Sequence, residues 1–330
     1  MLGWAGGSRV PPPTVVAVTL SLLRTFVTVV RTGSVTRASQ ELVVTQSSVS
    51  GALAALSKEM GERLVERDGR GLRPTAAGAA FLPHAERVLA TLEDGTAAVR
   101  EAADPSRRRL RLVATTTAAE FLVPGVWSAF GQRHPEVELT VAVGNRGDLI
   151  GALDRSQADI GIGGRPLDPR LRGVRFLDNE FVVIAPPDDA RARRGPIPAE
   201  ELGGATWLVR EAGSGTGEVT GEFFATRGIT RPKTITIGSN GAIRRCVALG
   251  LGLALQPLRA VERELEDGTL ARVSVAGGTP ARGWYALYAV DSPRRAASEA
   301  FLAFVRRGDA ARALGESGPA APALATSSGS

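Results

Sequence analysis

The apolar positions near the start of the chain recur at helical spacing in three consecutive segments. A first helix is predicted from residues spaced by three, one and three positions: Leu23, Phe26, Val27 and Val30. A second helix is predicted over about 34–42, and a third from apolar residues at intervals of four, three and four: Val49, Leu53, Leu56 and Met60. Short helices that meet at a tight turn predict a helix-turn-helix, which places its last helix in the DNA major groove.

The polar face of the third helix supplies the candidate DNA-reading groups. It begins with short hydroxyls and one amide: Thr45, Gln46, Ser47, Ser48 and Ser50. Such groups at a helix N-terminus can reach base edges and phosphates. The alternative is a polar helix start that Thr45 caps and that touches no DNA. The segment that follows favours the DNA interpretation.

A charged hairpin is predicted after Gly61, which ends the third helix. Residues 64–67 and 71–73 can pair around Asp68-Gly69, a hairpin turn signal. The candidate phosphate contacts on this wing are Arg67, Arg70 and Arg73. A solvated loop is the alternative, because residues 20–74 hold eight basic and five acidic side chains, a net charge of only +3. The helical pattern therefore carries the DNA-binding prediction more than the charge does.

A long helix is predicted from Thr75 to about Ala103. Its apolar and small residues repeat at heptad spacing: Leu82, Ala85, Leu89, Leu92, Thr96 and Val99. A narrow seam of this kind predicts a partner helix and hence a dimer, with packing against the protein's own body as the alternative. Pro83 is expected to kink or interrupt the helix near its start. Residues 104–106 are expected to form the hinge to the next domain.

From Leu110 onward the pattern changes to alternating strands and helices. It predicts a two-lobed α/β domain over 110–308, similar to periplasmic solute-binding proteins, with lobe I at 110–185 and 284–308 and lobe II at 186–283. The predicted fold is thus an α/β domain preceded by an all-α winged helix-turn-helix over 19–74 and a linker helix over 75–104. Residues 1–18 and 309–330 are expected to be disordered because of their Gly, Pro, Ala and Ser content.

Two helix starts in this α/β domain are the candidate ligand site. Ligands of such sheets bind where strands end and helix N-termini offer free N–H groups. The candidate residues are Thr115, Thr116, Thr117, Gly213, Ser214, Gly215 and Thr216, with Arg165 and Arg210 close in sequence. Hydroxyls, bare amides and arginines predict a small anionic ligand with a carboxylate or phosphate. Ordinary helix capping by Thr and Ser is the alternative.

Composition excludes several classes of protein. The 40 basic and 34 acidic residues give a net charge of +6, which fits a nucleic-acid partner without requiring one. The single cysteine, Cys246, excludes an intrachain disulfide. The two histidines, His84 and His134, lie in no nucleophile motif or metal-ligand spacing, and the string at 213–216 lacks P-loop spacing. No catalytic residue, metal or cofactor is therefore predicted, and the chain is not expected to be an enzyme.

Targeting signals are not evident in the sequence. The apolar stretch 15–30 is interrupted by Thr19, Ser21, Arg24, Thr25 and Thr28, so it is interpreted as the first helix rather than a membrane span. Residues 1–13 are rich in Gly and Pro and lack a signal-peptide pattern. A cytoplasmic location with no membrane partner is expected.

The N-terminal segment resembles LysR-type transcriptional regulators. The resemblance rests on Val44-Thr45-Gln46-Ser47-Ser48-Val49-Ser50, followed by Leu56, Gly61, Leu64, Arg67, Leu72, Thr75 and Gly78. It implies a homodimer or homotetramer that binds an interrupted inverted repeat in double-stranded DNA, with DNA bending modulated by a small effector. RNA polymerase is a further candidate partner. Gly51 departs from the pattern, because a large polar or basic residue is usual there.

A narrower resemblance covers the second domain. Val143-Gly144-Asn145-Arg146, Ile162-Gly163-Gly164-Arg165-Pro166, 208–216 and Ser239-Asn240 are similar to LysR-type regulators of Calvin-cycle (RuBisCO) operons. Those regulators respond to phosphorylated sugars and related metabolites. Gly217, Gly241 and Arg244-Arg245 stand where Arg, Glu and Lys-Gln are common. The alternative is a LysR-type regulator of another pathway with a non-phosphorylated carboxylate effector, followed by a solute-binding protein or an enzyme.

Overall fold

The computed structural model describes residues 18–69, 71–104, 108–292 and 294–316. The chain divides into two compact units, Met1–Gly95 and Thr96–Ser330. Most of the expected extension at 1–18, two residues of the expected hinge at 104–106 and the end of the expected tail lie outside the described residues. A long helix, α4 (Ala76–Ala103), begins in the first unit and ends in the second.

Three helices and a hairpin form the first unit. They are α1 (Leu20–Thr32), α2 (Val35–Leu42), α3 (Gln46–Met60), β1 (Val65–Asp68) and β2 (Gly71–Pro74). Side chains of Thr19, Ser34 and Thr45 accept a backbone N–H at the start of each helix. Gly33 and Gly61 end α1 and α3 in the left-handed conformation that glycine adopts without strain. The apolar positions predicted from helical spacing form the core, with Phe26, Val49 and Leu56 fully buried.

The start of α4 is fixed against the hairpin by a close backbone contact. A Cβ atom at Gly78 would overlap the carbonyl group of Leu64, so only glycine fits there. The Thr75 hydroxyl donates to the Arg63 carbonyl oxygen at 2.6 Å and accepts from the Gly78 N–H at 3.0 Å. This contact sets the direction in which α4 leaves the hairpin.

The predicted seam of α4 packs partly on the protein's own first unit. Ala85 is buried, and Leu82 and Leu89 pack against the same core as Phe26. The apolar side chains left exposed are spaced by four and seven residues: Val88, Leu92 and Val99. The predicted seam is therefore divided: its first three members pack in the first unit's own core, whereas Leu92 and Val99 stay exposed, with Val88 beside them. Pro83 lies inside α4, which continues through it instead of breaking.

Nine strands and eight helices of the second unit fall within the described residues. The strands are β3 (Arg109–Thr115), β4 (Glu138–Gly144), β5 (Ile160–Gly163), β6 (Leu171–Ala185), β7 (Thr206–Val209), β8 (Lys233–Thr236), β9 (Ala254–Pro257), β10 (Ala271–Val273) and β11 (Ala281–Ala289). The helices are α5 (Thr116–Phe121), α6 (Val123–Arg133), α7 (Arg146–Asp154), α8 (Gly215–Thr226), α9 (Asn240–Ala248), α10 (Glu262–Glu266), α11 (Ala296–Arg306) and α12 (Asp309–Arg312).

One long strand, β6, belongs to both lobes. Its residues 171–180 pair with β11, whereas 181–185 pair with β9 and β10. Parallel strands β4, β3 and β5 continue the sheet beyond β11, and β7 pairs in parallel with β8. Strand β6 thus exchanges β11 for β9 at Phe181. The boundary between the two lobes therefore lies at Phe181 on β6 and at Ala281, where β11 begins.

The lobe boundaries differ from those predicted. Phe181 and Val183 pack into the second lobe's core with Trp207 and Phe223, because β6 has already exchanged β11 for β9 at that point. Residues 181–185 therefore belong to lobe II, although they were expected in lobe I. Below, lobe I means the described residues of 108–180 and 281–316, and lobe II means 181–280.

The expected disordered tail is wrong at its start. Residues 309–312 form α12, and Ala310 and Ala311 are fully buried in the core of lobe I. The Asp309 carboxylate pairs with Arg133 at 3.4 Å and Arg307 at 3.1 Å, which fixes the segment electrostatically. Small alanines carry little hydrophobic signal in the sequence but fit a close helix contact. The fold continues through Glu316, the last residue described.

Candidate DNA interface and effector cleft

The start of α3 divides its polar residues into capping groups and free groups. The Thr45 hydroxyl accepts from the Ser48 N–H at 3.1 Å and bonds the hydroxyls of Ser47 at 2.9 Å and Ser48 at 2.8 Å. Gln46 and Ser50 are exposed, and neither side chain forms a hydrogen bond to another described residue. The capping interpretation therefore holds for Thr45 and Ser48, while Gln46 and Ser50 stay available to a partner.

Small side chains make up the middle of the exposed face of α3. Gly51 has no atom within 4 Å of where a Cβ would stand, and Ala54 is exposed beside it. The first basic side chain along this helix is Lys58. The exposed face of α3 thus offers the Gln46 amide and the Ser50 hydroxyl near its start, with open space at Gly51.

The wing arginines differ in how far they are neutralised. Strands β1 and β2 pair with Glu66 opposite Arg73, and these two side chains form an ion pair at 2.9 Å. Arg67 is exposed, with no ion pair to another described residue. Arg70 lies outside the described residues. Arg67 is thus the wing arginine with a free charge in this part of the chain.

A cavity of about 920 Å³ opens between the lobes of the second unit. It is lined by eight of the nine residues predicted for the ligand site: Thr115, Thr116, Thr117, Arg165, Arg210, Ser214, Gly215 and Thr216. The ninth, Gly213, takes a left-handed conformation in the turn before α8, and its carbonyl oxygen accepts from the Arg146 N–H at 3.3 Å. The two helix starts that were predicted to face one cleft do so.

A third helix start lines the same cavity. Gly144, Asn145 and Arg146 lead into α7, where Asn145 and Asp148 form a reciprocal capping box. Sequence reasoning placed these residues in a family string but not in the site. Their signal was Asn145 directly after a predicted strand, in the same position as the threonines after β3.

Helix capping occupies some of the hydroxyls but not others. The Ser214 hydroxyl accepts from the Gly217 N–H at 3.4 Å at the start of α8. Thr115 precedes α5 without any side-chain capping bond. The hydroxyl of Thr115 therefore remains open to a ligand, whereas that of Ser214 already serves its own helix.

Arg210 is buried and directed to partners inside the protein. Its Nε and Nη2 atoms donate to the two Glu211 carboxylate oxygens at 2.8 Å each. Its Nη1 atom donates to Asn240 Oδ1 at 2.9 Å. Hydrogen bonds from Arg210 hold the pKa of Glu211 below its usual range, so the pair is charged and mutually neutralised.

Asn240 carries this chain of hydrogen bonds from lobe II to lobe I. Its Nδ2 atom donates to the Thr117 hydroxyl at 2.7 Å, and the residue is only 1% exposed. Asn240 stood in a string that carries the family resemblance, but nothing in the sequence placed it in the ligand site. Its partner lies 123 residues away, and local patterning cannot reveal such a contact.

Arg146 and Arg165 supply the cationic edge of the cleft. Arg146 Nη2 donates to the Arg165 carbonyl oxygen at 2.8 Å, and Arg146 Nη1 lies 3.6 Å from Glu218 Oε2. The Arg165 side chain is exposed, and no described residue pairs with it. The walls of the cavity carry an excess of positive charge, because six arginines and four carboxylates line it. The arginines are Arg146, Arg165, Arg175, Arg210, Arg272 and Arg282, and the carboxylates are Asp178, Glu180, Glu218 and Glu222.

Metal-binding chemistry has no support in the described part of the chain. Within it, no group of three or more His, Cys, Asp or Glu side chains is placed to hold a metal ion. None of its helices is long and apolar enough to cross a bilayer.

Two family profiles match adjoining parts of the chain. The profile "Bacterial regulatory helix-turn-helix protein, lysR family" matches residues 20–79, and "LysR substrate binding domain" matches 103–310. The chain belongs to the LysR family. The family and fold class predicted from the motif strings are confirmed. As a family member the chain is a DNA-binding transcriptional regulator with an effector-binding domain, and its relatives are named regulators rather than enzymes.

Relatives within the family include regulators of carbon-fixation genes. The RuBisCO operon transcriptional regulator of Allochromatium vinosum is 33% identical over 289 residues, which cover 87% of this chain and 95% of that protein. The regulatory domain of Synechocystis CcmR, solved in complex with 2-PG, is 27% identical with a TM-score of 0.55 and covers 60% of this chain and 95% of that one. Full-length CbnR, solved with its target DNA, shares the fold at 20% identity with a TM-score of 0.65, covering 88% of this chain and 100% of that one.

Two departures from the family pattern have different structural settings. A Cβ at Gly217 would lie 3.1 Å from the Glu211 carbonyl oxygen, so a side chain there requires the loop before α8 to shift. A Cβ at Gly241 would meet only Arg244 Nη2 and Ser239 Oγ, each at 3.7 Å, so that position has room. The loop that holds Arg210 and Glu211 therefore lies close against Gly217 in this LysR-family member.

Proposed function

We propose that this LysR-family regulator binds an interrupted inverted repeat in double-stranded DNA and that a small anionic metabolite in the cleft modulates DNA binding and bending. The main support for effector binding is that the open Thr115 and Thr116 hydroxyls line the same cavity as Arg165. Hydroxyls, helix-start amides and an unpaired arginine are the groups that hold a phosphate or carboxylate. The likeness to CcmR, solved with 2-PG, supports an effector of this class.

For DNA binding, we propose that polar side chains at the start of α3 and arginines of the wing make the contacts. Gln46 reads a base edge, Ser47 and Ser50 reach bases or phosphates, and Arg67 with Arg70 contacts phosphate. Thr45 and Ser48 shape the helix start, and Arg73 contributes after exchange of its bond to Glu66. The regulator acts in the cytoplasm, where bacterial DNA lies, and RNA polymerase is a further partner.

We propose that two copies associate through the exposed stripe of α4. Val88, Leu92 and Val99 repeat on one side of this helix and are exposed. Two recognition helices held by a dimer match the symmetry of an inverted repeat. A Val88→Lys variant is expected to shift a concentration series in analytical ultracentrifugation toward smaller species, and an unchanged distribution would contradict this interface.

The test is footprinting on the DNA upstream of the protein's own gene, with and without 2-PG and a panel of sugar phosphates. A protected inverted repeat whose footprint changes with a phosphorylated compound supports both halves of the proposal. Protection that no phosphorylated compound changes refutes the phosphorylated effector. No sequence-specific protection on this DNA or on a selected operator library refutes the DNA half.

A second candidate is a regulator with a non-phosphorylated carboxylate effector. The observation that favours it is the neutralisation of Arg210 by Glu211, which leaves fewer free positive charges for a dianion. The same footprint assay decides between the two when each phosphorylated compound is paired with a carboxylate of equal length that lacks the phosphate. A response to the carboxylate alone supports this candidate.

A further inference from the structure

Arg244 on α9 of lobe II contacts both lobes with one guanidinium group. Its Nη2 atom lies 3.2 Å from Glu120 Oε1, and its Cζ atom lies 5.3 Å from the centre of the Phe121 ring, both on α5 of lobe I. Within lobe II, its Nη1 atom pairs with Glu264 Oε1 at 3.1 Å and donates to the Ala260 carbonyl oxygen. The side chain is only 15% exposed.

The two sets of contacts respond differently to a movement of the lobes. The bonds to Glu264 and Ala260 lie inside lobe II, so they persist whether the cleft is open or closed. The contacts to Glu120 and Phe121 exist only while α5 lies against α9. Because α5 begins at the cleft with Thr116, its distance from α9 follows the width of the cleft.

A second contact from the same helix holds the same part of lobe I. Asn240, one turn before Arg244, donates to Thr117 near the start of α5. Residues on two successive turns of α9 therefore contact the two ends of α5. Asn240 does so inside the cleft, whereas Arg244 does so at the far end of α5, where its side chain is not among those lining the cavity.

We propose that Arg244 is an interlobe clamp that favours the closed cleft before any effector binds and thereby sets the effector affinity. It is a positioning residue, and the part of the inference that concerns affinity rests on the proposed function. An effector that binds only the closed form gains affinity in proportion to the population of that form. Arginine suits the role because its planar group can pair with two carboxylates and lie on a ring at once, which lysine cannot do.

The discriminating variant is Glu120→Gln. It keeps the shape of the side chain and removes the ion pair between the lobes, while the bonds of Arg244 inside lobe II remain. Arg244→Lys keeps the charge and loses the planar contact with Phe121. Arg245→Ala is the matched control, because Arg245 is the next residue of α9 and its exposed side chain forms no bond to another described residue.

The experiment measures the distance between the lobes in the full-length chain without ligand. Spin labels are placed on exposed residues of each lobe, with Gln132→Cys on α6 and Ala225→Cys on α8, in a Cys246→Ala background. Labelled chains are diluted with unlabelled ones so that pulsed electron resonance reports distances within one chain. Loss of the ion pair in Glu120→Gln, or of the cation–π contact in Arg244→Lys, predicts about a two- to fivefold rise in the ratio of open to closed forms.

The expected result is a larger open population in Glu120→Gln and Arg244→Lys than in the parent. Arg245→Ala is expected to have the same open population as the parent. Identical distance distributions in the parent, Glu120→Gln and Arg244→Lys would overturn the clamp. Titration with 2-PG then separates the two proposals. A fall in affinity by the same factor as the rise in open form supports both, whereas a larger open population without any 2-PG binding supports the clamp and refutes the phosphorylated effector.

Discussion

The recognition helix and the effector cleft hold their polar side chains in opposite states. On α3, Gln46 and Ser50 are exposed and have no partner among the described residues. In the cleft, Arg210, Asn240 and Thr117 are buried and already bonded to one another. An exposed group exchanges only water when it binds, whereas a ligand in the cleft competes with bonds that exist without it. If both proposals hold, DNA affinity depends on exposed surface groups, whereas effector affinity depends on the balance between two arrangements of the lobes.

The largest loss of stability is expected at the close backbone contact between α4 and the hairpin of the DNA-binding unit. Gly78→Ala places a methyl group onto the Leu64 carbonyl, and we expect a loss of about 3 kcal/mol in the unfolding free energy of the first unit. Thermal unfolding and DNA affinity measure it. Gly95→Ala on the same helix is the control, because no atom lies within 4 Å of its Cβ position. Equal behaviour of the two variants would show that the Leu64 contact is not fixed.

An amide removed from the cleft should cost folding stability. Asn240→Ala leaves a buried Arg210 N–H group and the Thr117 hydroxyl without their partner, which costs about 1–3 kcal/mol. Urea unfolding of the full-length chain measures the loss. A variant as stable as the parent would mean that the bond between the lobes forms only in part of the population.

Removal of a side-chain amide from α3 should leave folding stability unchanged and weaken operator binding. Gln46→Ala is expected to reduce operator affinity by about 1–3 kcal/mol, the worth of a good base-edge contact, with the unfolding free energy unchanged. Competition between operator and random DNA at fixed salt measures it. Unchanged sequence preference would refute the assignment of Gln46, and a fall in stability would refute the contrast with Asn240.

Filling the open position on α3 should strengthen binding. Gly51→Arg adds a charge where no atom stands within 4 Å and is expected to steepen the salt dependence of DNA binding by about one unit. The helix also gains about 1 kcal/mol over glycine. Gly51→Ala is the control, because it gives the helical gain without the charge. Equal salt slopes for the two variants would place position 51 away from the phosphates.

The smallest effect concerns acid stability of the cleft. Arg210 holds the pKa of Glu211 below its usual value, so their pair stabilises the fold above the ordinary glutamate range and loses this effect as the pH falls through the lowered pKa. The difference in unfolding free energy between parent and Glu211→Gln should be largest near pH 7 and shrink below about pH 4. A difference that does not change with pH would mean that solvent screens the pair.

Local patterns predicted the buried face of α3 and the residues that line the cleft, but not the bonds inside the cleft. The burial of Val49, Leu53 and Leu56 follows from helical spacing alone, and so does the end of α3 at Gly61. The role of Asn240 does not, because its partner on α5 is distant in sequence. Whether an arginine is paired also depends on which carboxylate the fold brings close to it. Local sequence therefore cannot show that Arg210 is paired, whereas no described residue pairs with Arg165.

The packing of the linker helix and the ordered start of the tail depend on distant contacts in the same way. Leu82, Ala85 and Leu89 have coiled-coil spacing, but the nearest apolar surface is the first unit's own core, and they pack there. Ala310 and Ala311 look like part of a flexible tail because small residues bury little area each. They are buried because α12 packs against α11 and α6 in the core of lobe I, a contact that local composition does not reveal.

The sharing of β6 between the lobes restricts how chains of this kind can change length. Within lobe II its side chains alternate between two cores, with Phe181 and Val183 in one and Val182 and Ile184 in the other. One residue gained or lost within 171–185 would exchange these two sets between the cores and shift the pairing with β11 in lobe I. Insertions and deletions should therefore accumulate in surface connections such as 186–196, while the residue count of this strand stays constant.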